Sequence, residues 1–336
     1  MWRRNNGFLA YYSYNFIVLP PISMSAQPSF LSLAQHKKLR CEKFLDEMVT
    51  VIPWGKFLEV IAPHYPQNIV GRQAKELLMM LKIYFLQQWF NLSDPGAEEA
   101  ICDRISFQKF LGIDLLADTV PDETTILNFR HLLEEHKLQE QFLEIVNDLL
   151  TEKGHFMRKG TIVDATLIAA PSSTKNKEKK RDPAMSQTKK GNQWYFGMKG
   201  HIGVDADSGL VHSVETTTAK TADIKMLGKL LTGKERAVFG DKAYSKEEDK
   251  RAARKTGILY AMSDRAKSHH PLSSSQRKKN RKHSSIRSKV EHPFHVIKNL
   301  WHFRKVRYRG LSKNNLQLHT LFALCNIYLV RKRLLA

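Results

Sequence analysis

The chain has 336 residues and a formal net charge of +21, long enough for a sizeable core and, on length alone, for two domains. Its three cysteines (Cys41, Cys102, Cys325) lie far apart with no CxxC or Cys/His cluster, which argues against a disulfide framework or a zinc site, and no stretch reaches the roughly 18 apolar residues a membrane span needs. The positive excess is uneven: residues 265–313 carry 15 Lys and Arg against a single acid, Glu291, as expected of a phosphate-binding surface.

In chain order, Met1-Trp2-Arg3-Arg4 and the apolar run behind it imitate a signal peptide, but Ser13 and Asn15 interrupt the run and Pro20-Pro21 closes it. Residues 1–35 are therefore expected to be an extension, either disordered or, up to residue 23, upstream of a true start at Met24. Residues 36–150 read as a mostly helical domain. Ala74–Phe90 is apolar on more than one side, which predicts a buried helix. Ser93-Asp94-Pro95-Gly96 stops it and caps a helix over Ala97–Phe110. Pro121-Asp122-Glu123-Thr124-Thr125 then starts helices over Ile126–His136 and Leu138–Leu150. Short helices with tight polar turns suit a DNA-reading helix-turn-helix or a bundle that only supports the next domain, and the pattern leaves both open.

From Gly160 the pattern turns to strands. Thr161–Ala169 is the first; Tyr195–Val204 and Leu210–Thr217 form a hairpin closed by Asp205-Ala206-Asp207-Ser208-Gly209. Helices at Thr221–Leu231 and Ser245–Lys255 alternate with strands at Ala237–Gly240 and Gly257–Met262. This order predicts a layered α/β domain over residues 158–310. Two basic stretches within it, 171–193 and 265–289, lack periodicity and read as loops. Residues 311–336 read as a packed C-terminal helix with a basic tail.

Three acids stand in unusual company. Asp164 closes the apolar run Thr161-Ile162-Val163, Asp241 closes Ala237-Val238-Phe239-Gly240, and Glu291 lies inside the most basic stretch. A carboxylate ending a buried strand is costly to desolvate unless it is paired or binds a metal. Two such acids and a third from a helix, in a chain this rich in Lys and Arg, suggest phosphodiester chemistry on nucleic acid with two Mg²⁺ or Mn²⁺ ions, which take oxygen ligands and need no His/Cys cage. Asp164 is the candidate bridging ligand. Arg287, four residues before Glu291, and Lys298, seven after, share its face on a continuous helix and could hold the scissile phosphate. Pro293 is expected to kink that helix or mark its first turn, pushing His292 away from α conformation.

The longer motifs carry a resemblance. Val163-Asp164-Ala165-Thr166, the segment Ala170–Glu178, Gln187–Trp194, Gly197-Met198-Lys199 and His201-Ile202-Gly203-Val204-Asp205 resemble the DDE transposases of bacterial insertion sequences, in the group named for insertion sequence five. Arg287–Phe294 and Lys305–Leu311 are similar to its C-terminal motif and tail; Pro53-Trp54, Asn91-Leu92-Ser93-Asp94 and Asn128–Glu134 are similar to its helical N-terminal domain. Two positions depart from the wider signature: Ser284 stands where a tyrosine is frequent, and Ala243 where a glycine is. The resemblance implies a ribonuclease-H-like mixed sheet with flanking helices behind the helical domain, Mg²⁺ dependence, and Asp164, Asp241 and Glu291 as the catalytic acids. It implies DNA as partner, both the element's terminal inverted repeats and the target, held by a homodimer on paired ends in the bacterial cytoplasm at the nucleoid, with no membrane role.

Lys189, Lys190, Lys289, Arg304 and Lys305, with the cluster Arg277, Lys278, Lys279, Arg281 and Lys282, are candidates to hold phosphates without reading sequence. Trp194 and Trp301 could stack on unpaired bases or pack in the core. Two rivals share the basic surface: a catalytically inactive, transposase-derived DNA-binding protein, and a ribonuclease-H-like nuclease that cleaves without joining.

Overall fold

Strand β1 (Gly160–Ala169) lies at the centre of a six-stranded sheet in the computed structural model, which describes residues 37–66, 73–114, 118–156, 159–175, 177, 179–264, 266 and 271–336. The expected N-terminal extension, residues 1–35, and the start site at Met24 lie outside these residues. β1 pairs antiparallel with β3 (Gln193–Asp205), whose other edge carries β4 (Val211–Thr218), also antiparallel. On its other side β1 pairs parallel with β5 (Ala237–Gly240), and β5 with β6 (Leu259–Met262). Three antiparallel strands followed by two parallel ones, ordered β4–β3–β1–β5–β6, make a ribonuclease-H-like mixed sheet. Gly197 permits the close β1–β3 pairing, since a Cβ there would sit 2.1 Å from the carbonyl oxygen of Ile168.

Both stretches read as loops contain regular structure. Within 171–193, Ser186–Lys190 forms β2, antiparallel to the start of β3 around a turn at Gly191 (φ +62°). A polar, lysine-bearing edge strand buries no face, so it leaves no alternation to read, and its charges protect an open sheet edge. Within 265–289, Ser274–Arg287 forms a helix, closed at its start by a reciprocal capping box between Ser273 and Gln276. Only His283 of that helix is buried. A helix of good formers with almost no apolar face has no periodicity to detect.

In the helical region, α1 (Arg40–Val51) and α2 (Trp54–Ile61) precede α3 (Leu77–Phe90), which is buried from Met80 through Trp89 with the exception of Lys82. Asn91, left-handed at φ +53°, ends α3, and the Ser93 hydroxyl accepts from the Gly96 N–H to start α4 (Asp94–Asp103). The single helix expected over Ala97–Phe110 is divided, because Arg104 is extended (φ −109°, ψ 107°) between α4 and α5 (Ile105–Leu111). α6 (Glu123–Glu135), capped by Asp122, and α7 (Leu138–Glu152) follow as expected. Between β4 and β5 the expected helix shrinks to a 3₁₀ turn and the four-residue α8 (Leu227–Leu230); α9 (Glu247–Lys255) joins β5 to β6.

The basic helix is α10 (Ser274–Arg287), α11 is Glu291–His295, and the C-terminal helix is α12 (Leu311–Leu334). α12 packs on α7 and β4, so the helical region and the sheet share one hydrophobic core, and residues 40–336 form one unit. No helix among the described residues is long and apolar enough to cross a membrane.

Three motifs distant in the chain meet in this core. Arg130, 6% exposed, pairs with Asp94 at 3.2 Å and Glu134 at 2.6 Å and lies over the Tyr308 ring, 4.3 Å from its centroid. Arg307 donates to the carbonyl oxygens of Asn91 and Leu92. The N-terminal motifs around Asn91 and Arg130 thus grip the C-terminal tail, which supports the tail and leaves these particular side chains engaged within the chain.

Candidate active site

Parallel pairing brings two of the acids side by side. β1 and β5 run in register with Val163 opposite Gly240, so Asp164 and Asp241, each one residue further, lie at the same level on strands about 4.8 Å apart. Asp164 has its carboxyl 18% exposed and accepts from the N–H of Ala165 at 2.8 Å. Asp241 ends β5 and accepts from the N–H of Lys242 at 2.6 Å, starting a 3₁₀ turn through Tyr244. That turn is anchored: the Tyr244 ring is buried, and its carbonyl oxygen accepts from the Tyr260 hydroxyl at 2.5 Å.

Glu291 arrives from a helical rod running from Ser274 to Leu300. The rod passes through a 3₁₀ turn at Ser288–Val290, α11, and a π turn at Val296–Leu300. Pro293 neither breaks it nor displaces His292, which is helical. The tighter turn before Glu291 leaves Pro293 within the first turn of α11, where its missing N–H is tolerated. Arg287 and Lys298 both face β1, as their spacing predicts. The Arg287 Nε lies 4.0 Å from Asp164 Oδ2, and the Lys298 ammonium donates to the Leu167 carbonyl oxygen at 2.6 Å.

Burial pushes the Asp164 carboxyl up to about 6; Glu291 and Asp241 push it the same way, against the Ala165 N–H and Arg287. Burial, aided by Lys190 and Arg304, lowers Lys298 to about 8, with Glu291 opposing. The donor set fits hard divalent cations in kind, since it offers carboxylate oxygens only. Among the described residues, however, no three His, Cys, Asp or Glu side chains are grouped as a ready-made metal cluster.

A raised pKa has a stability consequence. Ionised Asp164 destabilises the metal-free fold above about pH 6, and the cost disappears below the unfolded value of 3.8. In EDTA, Asp164→Asn is expected to be more stable than the wild type at pH 8, by on the order of 2 kcal/mol. Its advantage should fade on acidification through pH 6 towards pH 4. Equal gains at both ends in thermal melts would contradict that assignment.

The basic candidates divide. Arg277, Lys278, Lys279, Arg281 and Lys282 are exposed along α10, as are Lys189 and Lys190 at the tip of the β2–β3 hairpin, and Arg304 and Lys305. Lys289 is otherwise engaged: its ammonium donates to the carbonyl oxygens of Ala206 and Asp207 at 2.7 and 3.0 Å, so the phosphate role expected for it does not match its position. The tryptophans also divide. Trp194 is 65% exposed beside Lys189 across the hairpin, whereas Trp301 is 4% exposed and packs edge-to-face on Tyr328. The stacking role considered for Trp301 is thereby replaced by core packing, because a ring placed behind apolar neighbours has no free face.

One group escaped sequence reasoning. On the sheet face opposite Asp164, Lys199 donates to Asp223 at 2.8 Å, and the buried His201 bonds Thr217 Oγ1 at 2.8 Å. Burial lowers His201 to about 4 and keeps it neutral. Burial also raises the Tyr244 hydroxyl, with Asp223, Asp164 and Asp241 adding to the shift. The available signal was Lys199 and His201 two apart on one face of an otherwise apolar strand.

Asp241 follows the end of β5 as expected, but Asp164 lies midway along β1, because the strand continues to Ala169 against β3. The sheet order and these two neighbouring carboxylates define a ribonuclease-H-like protein. Residues 155–327 match the family model described as Transposase DDE domain, and residues 33–132 match Transposase domain (DUF772). The chain belongs to the DDE transposase family. The chain aligns with one in the crystal structure of the Mos1 strand transfer complex at 13% identity and a TM-score of 0.28, over 80% of this chain and 79% of that one.

Proposed function

We propose that this DDE transposase cleaves DNA at the ends of its element and joins the freed 3′-hydroxyl to target DNA, using two Mg²⁺ or Mn²⁺ ions. The observation that carries this reading is the in-register placement of Asp164 and Asp241 beside the Glu291 helix. Asp164, Asp241 and Glu291 would hold the ions. When bound, such ions polarise the scissile phosphate and activate the attacking oxygen. Arg287, next to Asp164, orients the phosphate, and the exposed cations of α10, Lys189, Lys190, Arg304 and Lys305 hold the flanking backbone. Trp194 supplies a stacking face for a base unpaired at the cleaved end. Attack by water and then by the 3′-hydroxyl needs no covalent link to protein, so catalysis is positioning and electrostatics.

Within the family, the motifs around Asp164, Gly197 and Glu291 support the insertion-sequence-five group, with inverted repeats as substrate and a homodimer as working form in the bacterial cytoplasm. The test is a Mg²⁺-dependent assay on end-labelled DNA carrying the repeats that flank the gene. Cleavage with joining supports the reading, and cleavage alone indicates a nuclease. Binding without cleavage indicates an inactive DNA-binding relative, which the lack of a ready-made acid cluster among the described residues would also suit.

The basic helix makes its own prediction. Exchanging Arg281 and Lys282 together for Gln should weaken duplex binding and lower the slope of log affinity against log salt by about 2. An unchanged slope in fluorescence anisotropy would mean that this face does not meet DNA.

A further inference from the structure

Lys289 sits two residues before Glu291 and, unlike the exposed cations of α10, turns inward. Its acceptor is built in advance. The Asp205 carboxylate, in a side chain 1% exposed overall, accepts from the Ser208 N–H at 2.8 Å and from the Ser208 hydroxyl at 2.6 Å. The Gly209 N–H closes the same turn onto the Asp205 carbonyl at 2.9 Å, with Gly209 left-handed at φ +77°. The turn between β3 and β4 is thus rigid and leaves two adjacent carbonyl oxygens, of Ala206 and Asp207, for one ammonium at 2.7 and 3.0 Å. The next residue, Val290, is fully buried. Successive residues of a helical turn point about 100–120° apart. Holding Lys289 on the turn and Val290 in the core therefore sets the rotation of the rod, and with it the direction of Glu291.

We propose that Lys289 is a positioning residue for Glu291: it locks the catalytic helix to the β3–β4 turn and so presents the third carboxylate to the metal-binding edge of the sheet. This rests on the reading of Asp164, Asp241 and Glu291 as metal ligands. A lysine in this place trades a phosphate contact for two carbonyl contacts, so its loss should be felt in metal affinity and not in DNA affinity. Groups that orient metal ligands typically change affinity about 10- to 100-fold when removed.

The experiment measures Mn²⁺ binding to the full-length protein by electron paramagnetic resonance. In parallel, binding of a generic 30-base-pair duplex across a salt series and thermal melts are recorded for wild type, Lys289→Gln, Lys289→Arg and Ser208→Ala. Expected are Mn²⁺ binding about 10-fold or more weaker in Lys289→Gln, recovery in Lys289→Arg, a smaller loss in Ser208→Ala, and an unchanged salt slope. Unchanged Mn²⁺ affinity with a salt slope lower by about one would make Lys289 a phosphate ligand and overturn the proposal. A lower melting temperature with unchanged Mn²⁺ affinity would make it merely structural, and would overturn it equally. Should Lys289→Gln fail to fold, Ser208→Ala decides by the same two readouts. Wild-type Mn²⁺ binding no stronger than that of Asp164→Ala would instead refute the metal-site reading itself.

Discussion

Asp164→Ala is expected to abolish DNA cleavage and joining, a loss of on the order of 10³-fold or more, while leaving duplex binding measurable. The asymmetry follows from position. Asp164 lies on the central strand, level with Asp241 and facing Arg287, whereas the cations proposed to hold DNA are exposed. On the proposed reading, removing it leaves two of the three acids to hold the ions. It also frees Arg287 from its carboxylate neighbour, so DNA affinity should hold or rise slightly. Asp164→Asn keeps the volume and removes the charge, and should be equally inactive. Gel analysis of an end-labelled fragment, with anisotropy on the same protein, measures both halves. Cleavage retained in Asp164→Ala would remove this residue from the chemistry.

The second large effect is on stability. Arg130→Ala should destabilise the fold by about 3–5 kcal/mol, because it strands buried carboxylates without their cation. Asp94 and Glu134 side chains are only 19% and 9% exposed, and the Tyr308 ring loses the guanidinium that covers it. Lys313, 3.4 Å from Glu134, offsets part of the loss. The tail that Arg130 holds also pairs with the end of β1, where Val306 donates to Ala169 and Ala169 to Arg304. Damage should therefore spread from the helical region to the sheet, as one cooperative transition at lower denaturant. Separate unfolding of the two regions, with Arg130→Ala affecting only the first, would contradict the shared core.

Most buried elements were legible in the residues. β1, the β3–β4 hairpin and α7 bury a face, which writes a period of 2 or 3.6 into the chain, and α3, buried nearly all round, shows as an unbroken apolar run. β2 and α10 were missed for the converse reason: neither hides an apolar face, and both are specified by local chemistry, a turn at Gly191 and a cap at Ser273. The break at Arg104 was equally silent, since apolar spacing continues across it while the backbone does not.

The same distinction runs through the site. The identities of Asp164, Asp241 and Glu291 stand out in sequence because a carboxylate ending an apolar run, or alone among cations, is costly without a purpose. Sequence therefore determined the family, the three isolated acids and the concentration of positive charge. Only the tertiary structure decided which cations lie exposed and which, like Lys289 and Lys298, are spent on carbonyls; that Trp194 is open and Trp301 closed; and that Arg130 serves the core. Charge and ring are properties of one residue, readable wherever it stands. Exposure and partnership belong to whatever the fold brings against it, from stretches as far apart as Asn91 and Arg307.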